Sequence, residues 1–255
     1  MGHVNLSAYD GYEQFSDPEA LEAYRRAKVG ELDSFVEWVR ETYEKPIRVL
    51  DLGSGNAKWL VRLEREGLLA AGTGIEVSES RHRFAETWIA DWNLTGITPI
   101  CGDLLTASFP IQVDLCLATD IVLQFLNPIR EGALEATLKR VADHLKPGGR
   151  LLIDLQDLTS LKDSKTWQEF DEPDPWRFLL WEAPYNPERN TVALRKTFIG
   201  RDDNRLDRSE LELEVLSLEQ LTAMLVAAGF DADLETLDHH HDPTETRVVA
   251  RKPTR

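Results

Sequence analysis

A chain of 255 residues with 42% hydrophobic and 29% charged residues is long enough to bury one α/β core and too apolar to remain disordered. Its net charge of −16 provides no concentrated basic face, which argues against nucleic acid as a partner. No apolar run approaches a membrane helix, and Met1 to Asp10 lacks a basic segment followed by an apolar core, so a cytoplasmic protein without a membrane partner is expected.

Asp17-Pro18 reads as an N-cap with proline at the first helical position, opening a helix through about Ala27 that Gly30 breaks. From Glu31, the residues Leu32, Phe35, Val36 and Val39 fall at helical spacing, and Pro46 ends any continuation of that second helix. Short apolar runs then alternate with helical patterns. Ile47–Leu52, Thr73–Val77, Ile97–Ile100, Val113–Ala118 and Leu151–Leu155 are predicted strands, with helices between successive pairs, least clearly after Ile97–Ile100. Such alternation is the signature of a parallel sheet. The helix after Asn127-Pro128 is expected to run to Leu145 and to stop at Pro147-Gly148-Gly149, a turn into the fifth strand.

The alternation then breaks. Phe178–Glu182, Thr191–Ile199 and Leu211–Leu216 look like strands joined by Pro184-Tyr185-Asn186-Pro187 and Asp202-Asp203-Asn204, with no helix between them, which implies an antiparallel insertion. Ser217 to Gln220 forms a capping box that starts a last helix ended by Gly229, and two more strands surround His239-His240-His241. Four segments follow: an N-terminal helical cover (1–45), an α/β core (46–157), an antiparallel β insertion (158–216) and the completion of the core (217–255). Cys101 and Cys116 sit in strand-like apolar surroundings and are expected to be buried free thiols.

The junction Ile47 to Ala57 runs from a strand through Gly53-Ser54-Gly55 into a helix, where glycines let backbone approach a ligand closely. Taken alone, the two glycines also fit a simple tight turn. A dinucleotide fingerprint would need Gly or Ala where Lys58 stands, and no Gly-Lys-Ser/Thr phosphate loop occurs in the chain. Together with an acid two residues before the first glycine, Asp51-Leu52-Gly53-Ser54-Gly55 resembles the first motif of the class I S-adenosylmethionine-dependent methyltransferases.

That resemblance covers roughly Ile47 to Asp157 and implies a Rossmann-like fold: a mostly parallel seven-stranded sheet with helices on both faces and an antiparallel β lid after strand 5. It implies S-adenosyl-L-methionine as the bound donor. Glu76, twenty-five residues beyond Asp51, would accept from both ribose hydroxyls, with Val77 beside it. Asp103 and Leu104 would serve the adenine site, and Ala118 and Thr119 would line the methionine part of the donor. These residues lie at carboxyl ends of strands, where open parallel sheets bind ligands. Ala57 departs from the pattern, since many members carry a third glycine there; a slightly displaced helix is expected.

The lid resembles that of small-molecule methyltransferases, notably amino-sugar and glycine N-methyltransferases. It implies methyl transfer to a small metabolite or natural product, nitrogen ahead of oxygen and carbon last. Tyr9, Trp176, Trp181 and Tyr185 are candidates for the acceptor side, as aromatic walls suit a hydrophobic acceptor or a cationic amine, although each also suits fastening the lid. A proton must leave a hydroxyl or ammonium acceptor, and Asp120, Gln124, Tyr12 and His240 are the candidate groups near it. Consecutive histidines on a strand point to alternate sides, so no metal site is expected. The insertion could also build a homodimer interface. Two other readings remain open: methylation of a protein side chain, or a partner protein that binds the donor without turnover.

Overall fold

A side-chain cap starts the first helix: Asp17 Oδ1 accepts the backbone N–H of Glu19 at 3.0 Å, and α1 (Pro18–Gly30) follows. Gly30 is its last residue, so the helix runs past Ala27. The computed structural model describes residues 13, 15, 17–158, 167–169, 176–200, 206–237 and 245–254. The second helix, α2 (Asp33–Thr42), buries Phe35, Val36, Trp38 and Val39, the spacing that the sequence predicts.

The chain then builds β1 (Ile47–Leu52), α3 (Lys58–Arg65), β2 (Leu69–Glu76), α4 (Glu79–Asp91), β3 (Ile97–Cys101) and β4 (Val113–Ala118). A 3₁₀ turn (Val122–Phe125) and the short α5 (Leu126–Ile129) lead to α6 (Ala133–His144) and β5 (Leu145–Gln156). The insertion carries β6 (Trp167–Glu169), β7 (Trp176–Glu182), β8 (Tyr185–Asn186), β9 (Thr191–Gly200) and β10 (Leu206–Glu214). The chain closes with α7 (Leu218–Ala228), β11 (Glu235–Leu237) and β12 (Glu245–Arg251). The capping box of α7 is present as read, with Ser217 Oγ and Gln220 Oε1 each accepting the other's backbone N–H, and Gly229 closes the helix at φ 102°.

The main sheet has seven strands in the order β11-β12-β5-β4-β1-β2-β3. β1 through β5 pair in parallel, while β12 runs antiparallel to both β5 and β11. Strand order reverses between β1 and β4, which opens a crevice at their carboxyl ends. Side chains alternate between two cores, as the pleat requires. Leu50, Leu52, Cys116, Ala118, Leu151 and Ile153 face α6 and α7, whereas Val49, Leu115, Leu117 and Leu152 face α2, α3 and α4.

Three local expectations change. The helix after Asn127-Pro128 is interrupted: Gly132 adopts φ 75°, Asn127 Oδ1 accepts the backbone N–H of Leu134 at 3.0 Å, and α6 starts only at Ala133. Pro147-Gly148-Gly149 lies inside β5, where the Gly148 N–H donates to the Lys252 carbonyl at 3.0 Å and the Lys252 N–H to the Gly149 carbonyl at 2.8 Å; a Cβ at Gly149 would stand 2.9 Å from the Lys146 carbonyl. Cys116 is buried, but Cys101 ends β3 in an exposed position. Among the described residues, no helix is long and apolar enough to cross a membrane.

The insertion forms a second, antiparallel sheet in the order β10-β9-β7-β6, with β8 paired to β9. Leu158, Ala183, Val192, Leu213 and Val215 form its own small core, and Ile121 and Phe125 of the segment after β4 pack against it. The lid is therefore seated beside the end of β4.

Candidate functional site

Gly53 and Gly55 take φ of 63° and 55°, conformations that favour glycine, in the turn from β1 to α3. Space also excludes a side chain: a Cβ on Gly53 would stand 2.6 Å from Val122 Cγ2, and one on Gly55 2.6 Å from the Arg81 guanidinium. Ser54 is fixed inside the turn by its backbone N–H to the Ile75 carbonyl at 3.0 Å. Ala57 shares the left-handed conformation at φ 63° and caps α3, so alanine meets the conformational demand usually left to glycine.

Glu76 ends β2 beneath this turn and is 7% exposed. Its Oε2 accepts the Gly55 N–H at 2.8 Å and its Oε1 the Ser78 N–H at 2.7 Å, so the carboxylate is fixed by backbone and keeps lone pairs for further donors. Asp51 is fully buried, and neither of its carboxyl oxygens has a hydrogen-bond partner. Burial pushes its carboxyl well above the ordinary range, and the negative charges of Asp120 and Glu76 act in the same direction against Lys58 and Arg81. A buried carboxyl with both oxygens orphaned is costly and marks a place where an outside donor or cation would be welcomed.

Asp103 follows β3 in an exposed loop, where Oδ1 accepts the Leu105 N–H at 2.8 Å and closes an Asx turn. Val77, 47% exposed, presents an apolar side chain between Glu76 and the start of α4, and Leu104 is half-buried. Ala118 and Thr119 are buried at the end of β4. Beyond them the chain turns sharply, since Asp120 and Ile121 both have positive φ, 51° and 59°. The Asp120 side chain stays 57% exposed and faces Lys58 Nζ at 3.5 Å. Surrounding protein pushes its carboxyl up, but Lys58, Arg81 and Arg247 together outweigh that and hold it below the ordinary value.

Two features escaped the sequence reading. Glu13 lies against the turn: its Oε1 accepts from Asn56 Nδ2 at 2.6 Å and from the Tyr24 hydroxyl at 2.9 Å, and its Oε2 is 3.8 Å from Arg81. Burial and the Glu13 charge drive the Tyr24 hydroxyl far above its ordinary pKa. The second is a buried pair behind β4, Asp154 with Arg247, for which an aspartate in the apolar run Leu151-Leu152-Ile153-Asp154-Leu155 was the available signal.

The structure thus gathers Asp51, Gly53, Ser54, Gly55, Glu76 and Asp120 around one crevice, with Val77, Asp103 and Leu104 along its edge. Gln124 has a different place from the one expected. It is fully buried, its Nε2 donates to the carbonyls of Gln156 and Glu214, both at 3.1 Å, and its Oε1 accepts the Gln156 N–H at 2.9 Å, so it fastens the lid. Tyr185 is half-buried against the lid core, with its hydroxyl donating to Asn190 Oδ1 at 3.0 Å. Trp176 and Trp181 lie on β7, paired through their backbones with Gly200 and Lys196. Tyr9, Tyr12, His239 and His240 lie outside the described residues. Among the described residues, no group of three His, Cys, Asp or Glu side chains could hold a metal ion.

Residues 49–149 match a family model described as a methyltransferase domain. A protein of Geobacillus sp. (strain WCH70) that carries a provisional name as a methyltransferase is 26% identical over 211 residues, covering 78% of this chain and 80% of its own. Among solved structures, an S-adenosylmethionine-dependent methyltransferase from Clostridium acetobutylicum superposes with a TM-score of 0.71 over 97% of each chain at 16% identity. The S-adenosylmethionine-bound amino pentose methyltransferase of Micromonospora echinaspora involved in calicheamicin biosynthesis gives 0.71 at 16% identity, covering 94% of this chain and 99% of that one. The sugar N-methyltransferase of Streptoalloteichus sp. ATCC 53650 gives 0.67 at 18%, covering 99% and 94%. At such identities the structural likenesses establish the fold.

Proposed function

We propose that this chain, an S-adenosylmethionine-dependent class I methyltransferase, methylates a small-molecule acceptor, with nitrogen favoured over oxygen. S-adenosylmethionine supplies a methyl group already activated by the sulfonium charge, so the protein has chiefly to hold, align and exclude water. The observation that carries the reading is the orphaned, fully buried Asp51 carboxyl beneath a glycine turn that a Cβ would fill. Glu76 has lone pairs for the ribose hydroxyls, the free oxygen of Asp103 can take the adenine amine, and Val77 and Leu104 offer apolar contact to the ring. Gly53, Ser54 and Gly55 give the backbone approach, while Ala118 and Thr119 line the methionine end.

Of the segment ahead of β1, Glu13 and α1 act as the cover, since α2 packs on the sheet face with α3 and α4, and the insertion acts as the lid. Support for a small acceptor comes from the lid core packing on Ile121 and Phe125, in the segment that follows Asp120, which seats the insertion beside the end of β4. Asp120, exposed beside Lys58 at the end of β4, is placed to orient an amine or hydroxyl acceptor. The preference for nitrogen draws on the amino pentose and sugar N-methyltransferase likenesses and on the acidic chain, and a place in natural-product metabolism draws on the first of those likenesses.

Two measurements test the proposal. Calorimetry should detect S-adenosylmethionine binding that Glu76→Ala weakens by about 1.5–3 kcal/mol, and unchanged affinity removes Glu76 from the site. A turnover screen of amine, phenol and carboxylate acceptors should yield N-methylated products; turnover confined to hydroxyl or carboxylate compounds reverses the preference.

A further inference from the structure

Asp154 of β5 and Arg247 of β12 face each other in the antiparallel ladder and form a two-pronged ion pair, Nε to Oδ1 at 2.7 Å and Nη2 to Oδ2 at 3.0 Å. Both are buried, 1% and 9% exposed, and the guanidinium lies 4.9 Å from the Trp59 ring centre. Buried ion pairs contribute little net stability over apolar residues of similar volume, and the neighbours of Asp154 in β5 are apolar on both sides. The reason for the pair is therefore to be sought in what it holds.

Asp154 Oδ2 also accepts the backbone N–H of Asp120 at 3.2 Å. That N–H opens the turn in which Asp120 and the β-branched Ile121 both adopt positive φ, a conformation such residues keep only where their surroundings impose it. The turn fixes three neighbours at once. Asp120 is brought to Lys58, Ile121 packs on the lid core, and Val122 lies against Gly53 of the β1–α3 turn.

We infer that Asp154 and Arg247 are positioning residues, a clamp that holds the Asp120–Ile121 turn and thereby sets where the Asp120 carboxylate meets the reacting groups. The inference rests on the proposed donor site only for the statement that Asp120 faces the sulfonium end of the crevice. The clamp lies on β5 and β12, beside β4, and couples those strands to the junction between donor turn and lid.

The test compares Asp154→Asn, Arg247→Lys, the apolar pair Asp154→Leu with Arg247→Met, and Asp120→Ala. Hydrogen exchange at the amides of residues 120–122 is followed without ligand, and affinities for S-adenosylmethionine and S-adenosylhomocysteine are measured by calorimetry. Each clamp variant should speed exchange at the Asp120 amide by about tenfold or more, including the apolar pair, whose unfolding temperature serves as the control for folding. Preference for the sulfonium compound over its demethylated product should fall several-fold while homocysteine-compound affinity stays within about threefold, and Arg247→Lys should add nothing once Asp120 is alanine. Unchanged exchange and preference, or losses that add in the combined variant, overturn the inference. Failure of the unaltered protein to bind either compound would instead count against the proposed function, and the exchange measurement still decides the clamp.

Discussion

Asn56 Nδ2 stands 2.6 Å from Glu13 Oε1, so a residue ahead of the first helix is bonded directly to the turn between β1 and α3. Glu13 also accepts from Tyr24, whose ring lies 4.9 Å from Phe15 and 6.0 Å from Phe84, which ties this contact to an aromatic cluster on α1 and α4. Replacement by alanine leaves a buried amide and a buried hydroxyl without their charged acceptor. Glu13→Ala should destabilise the protein by about 2–3 kcal/mol and lower its unfolding temperature by roughly 5–10 °C. Thermal scans with and without S-adenosylmethionine check this, and the loss should be larger with the donor present.

Asp51 makes stability depend on pH with a definite sign. Its folded carboxyl is raised, so below the ordinary value of 3.8 it is neutral in both states and contributes nothing. As pH climbs from there towards the raised value, the unfolded chain gives up the proton that the folded chain keeps, and stability falls across that window. Asp51→Asn should flatten this decline and raise the unfolding temperature of the ligand-free protein near neutral pH by a few degrees. The same change should abolish the rise of S-adenosylmethionine affinity with pH expected of a site that needs the carboxylate charged. An unaltered pH profile in the variant would dismiss the orphaned carboxyl as the titrating group.

Ala57 carries conformational strain that glycine would not. A left-handed φ costs an alanine about 1–2 kcal/mol, from which glycine's greater freedom in the unfolded chain subtracts part. Ala57→Gly should therefore stabilise the protein by about 0.5–1 kcal/mol in denaturant titrations. A loss of stability would mean that the methyl group's packing in the core outweighs the strain.

Gln124 satisfies three backbone groups with one side chain. Gln124→Ala should cost about 2–4 kcal/mol, since three hydrogen bonds of this buried side chain, to the N–H and C=O of Gln156 and to the C=O of Glu214, are lost. Its effect should fall on the lid: proteolytic cleavage within residues 158–216 accelerates, while S-adenosylmethionine affinity stays within about threefold. Equal losses in both would place Gln124 in the donor site after all.

What the sequence made legible was whatever a short window encodes. The alternation of Ile47–Leu52 and Val113–Ala118, the capping box at Ser217 and the glycine turn all depend on neighbours a few residues apart, and the structure places each where the pattern puts it. The failures share a cause in distance along the chain. Gln124 looked like a cleft residue because it follows β4, yet its partners lie 32 and 90 residues away. Asp154 and Arg247 are 93 residues apart, and no local pattern announces that an aspartate in an apolar strand will find its arginine on β12. Pro147-Gly148-Gly149 carried a strong turn signal, but Gly148 donates its N–H to the Lys252 carbonyl and Gly149 makes room for Asp114, so tertiary pairing kept the segment in β5.

The lid's point of attachment has an evolutionary corollary. Its departure strand and its return strand both hand a carbonyl to a single side-chain nitrogen, that of Gln124, so the excursion begins and ends at one spot on the scaffold. A module whose two ends coincide can be lengthened, shortened or exchanged without tugging on the parent architecture. Changes of length within the insertion can then be absorbed there, leaving the β1–α3 turn and Glu76 where they are.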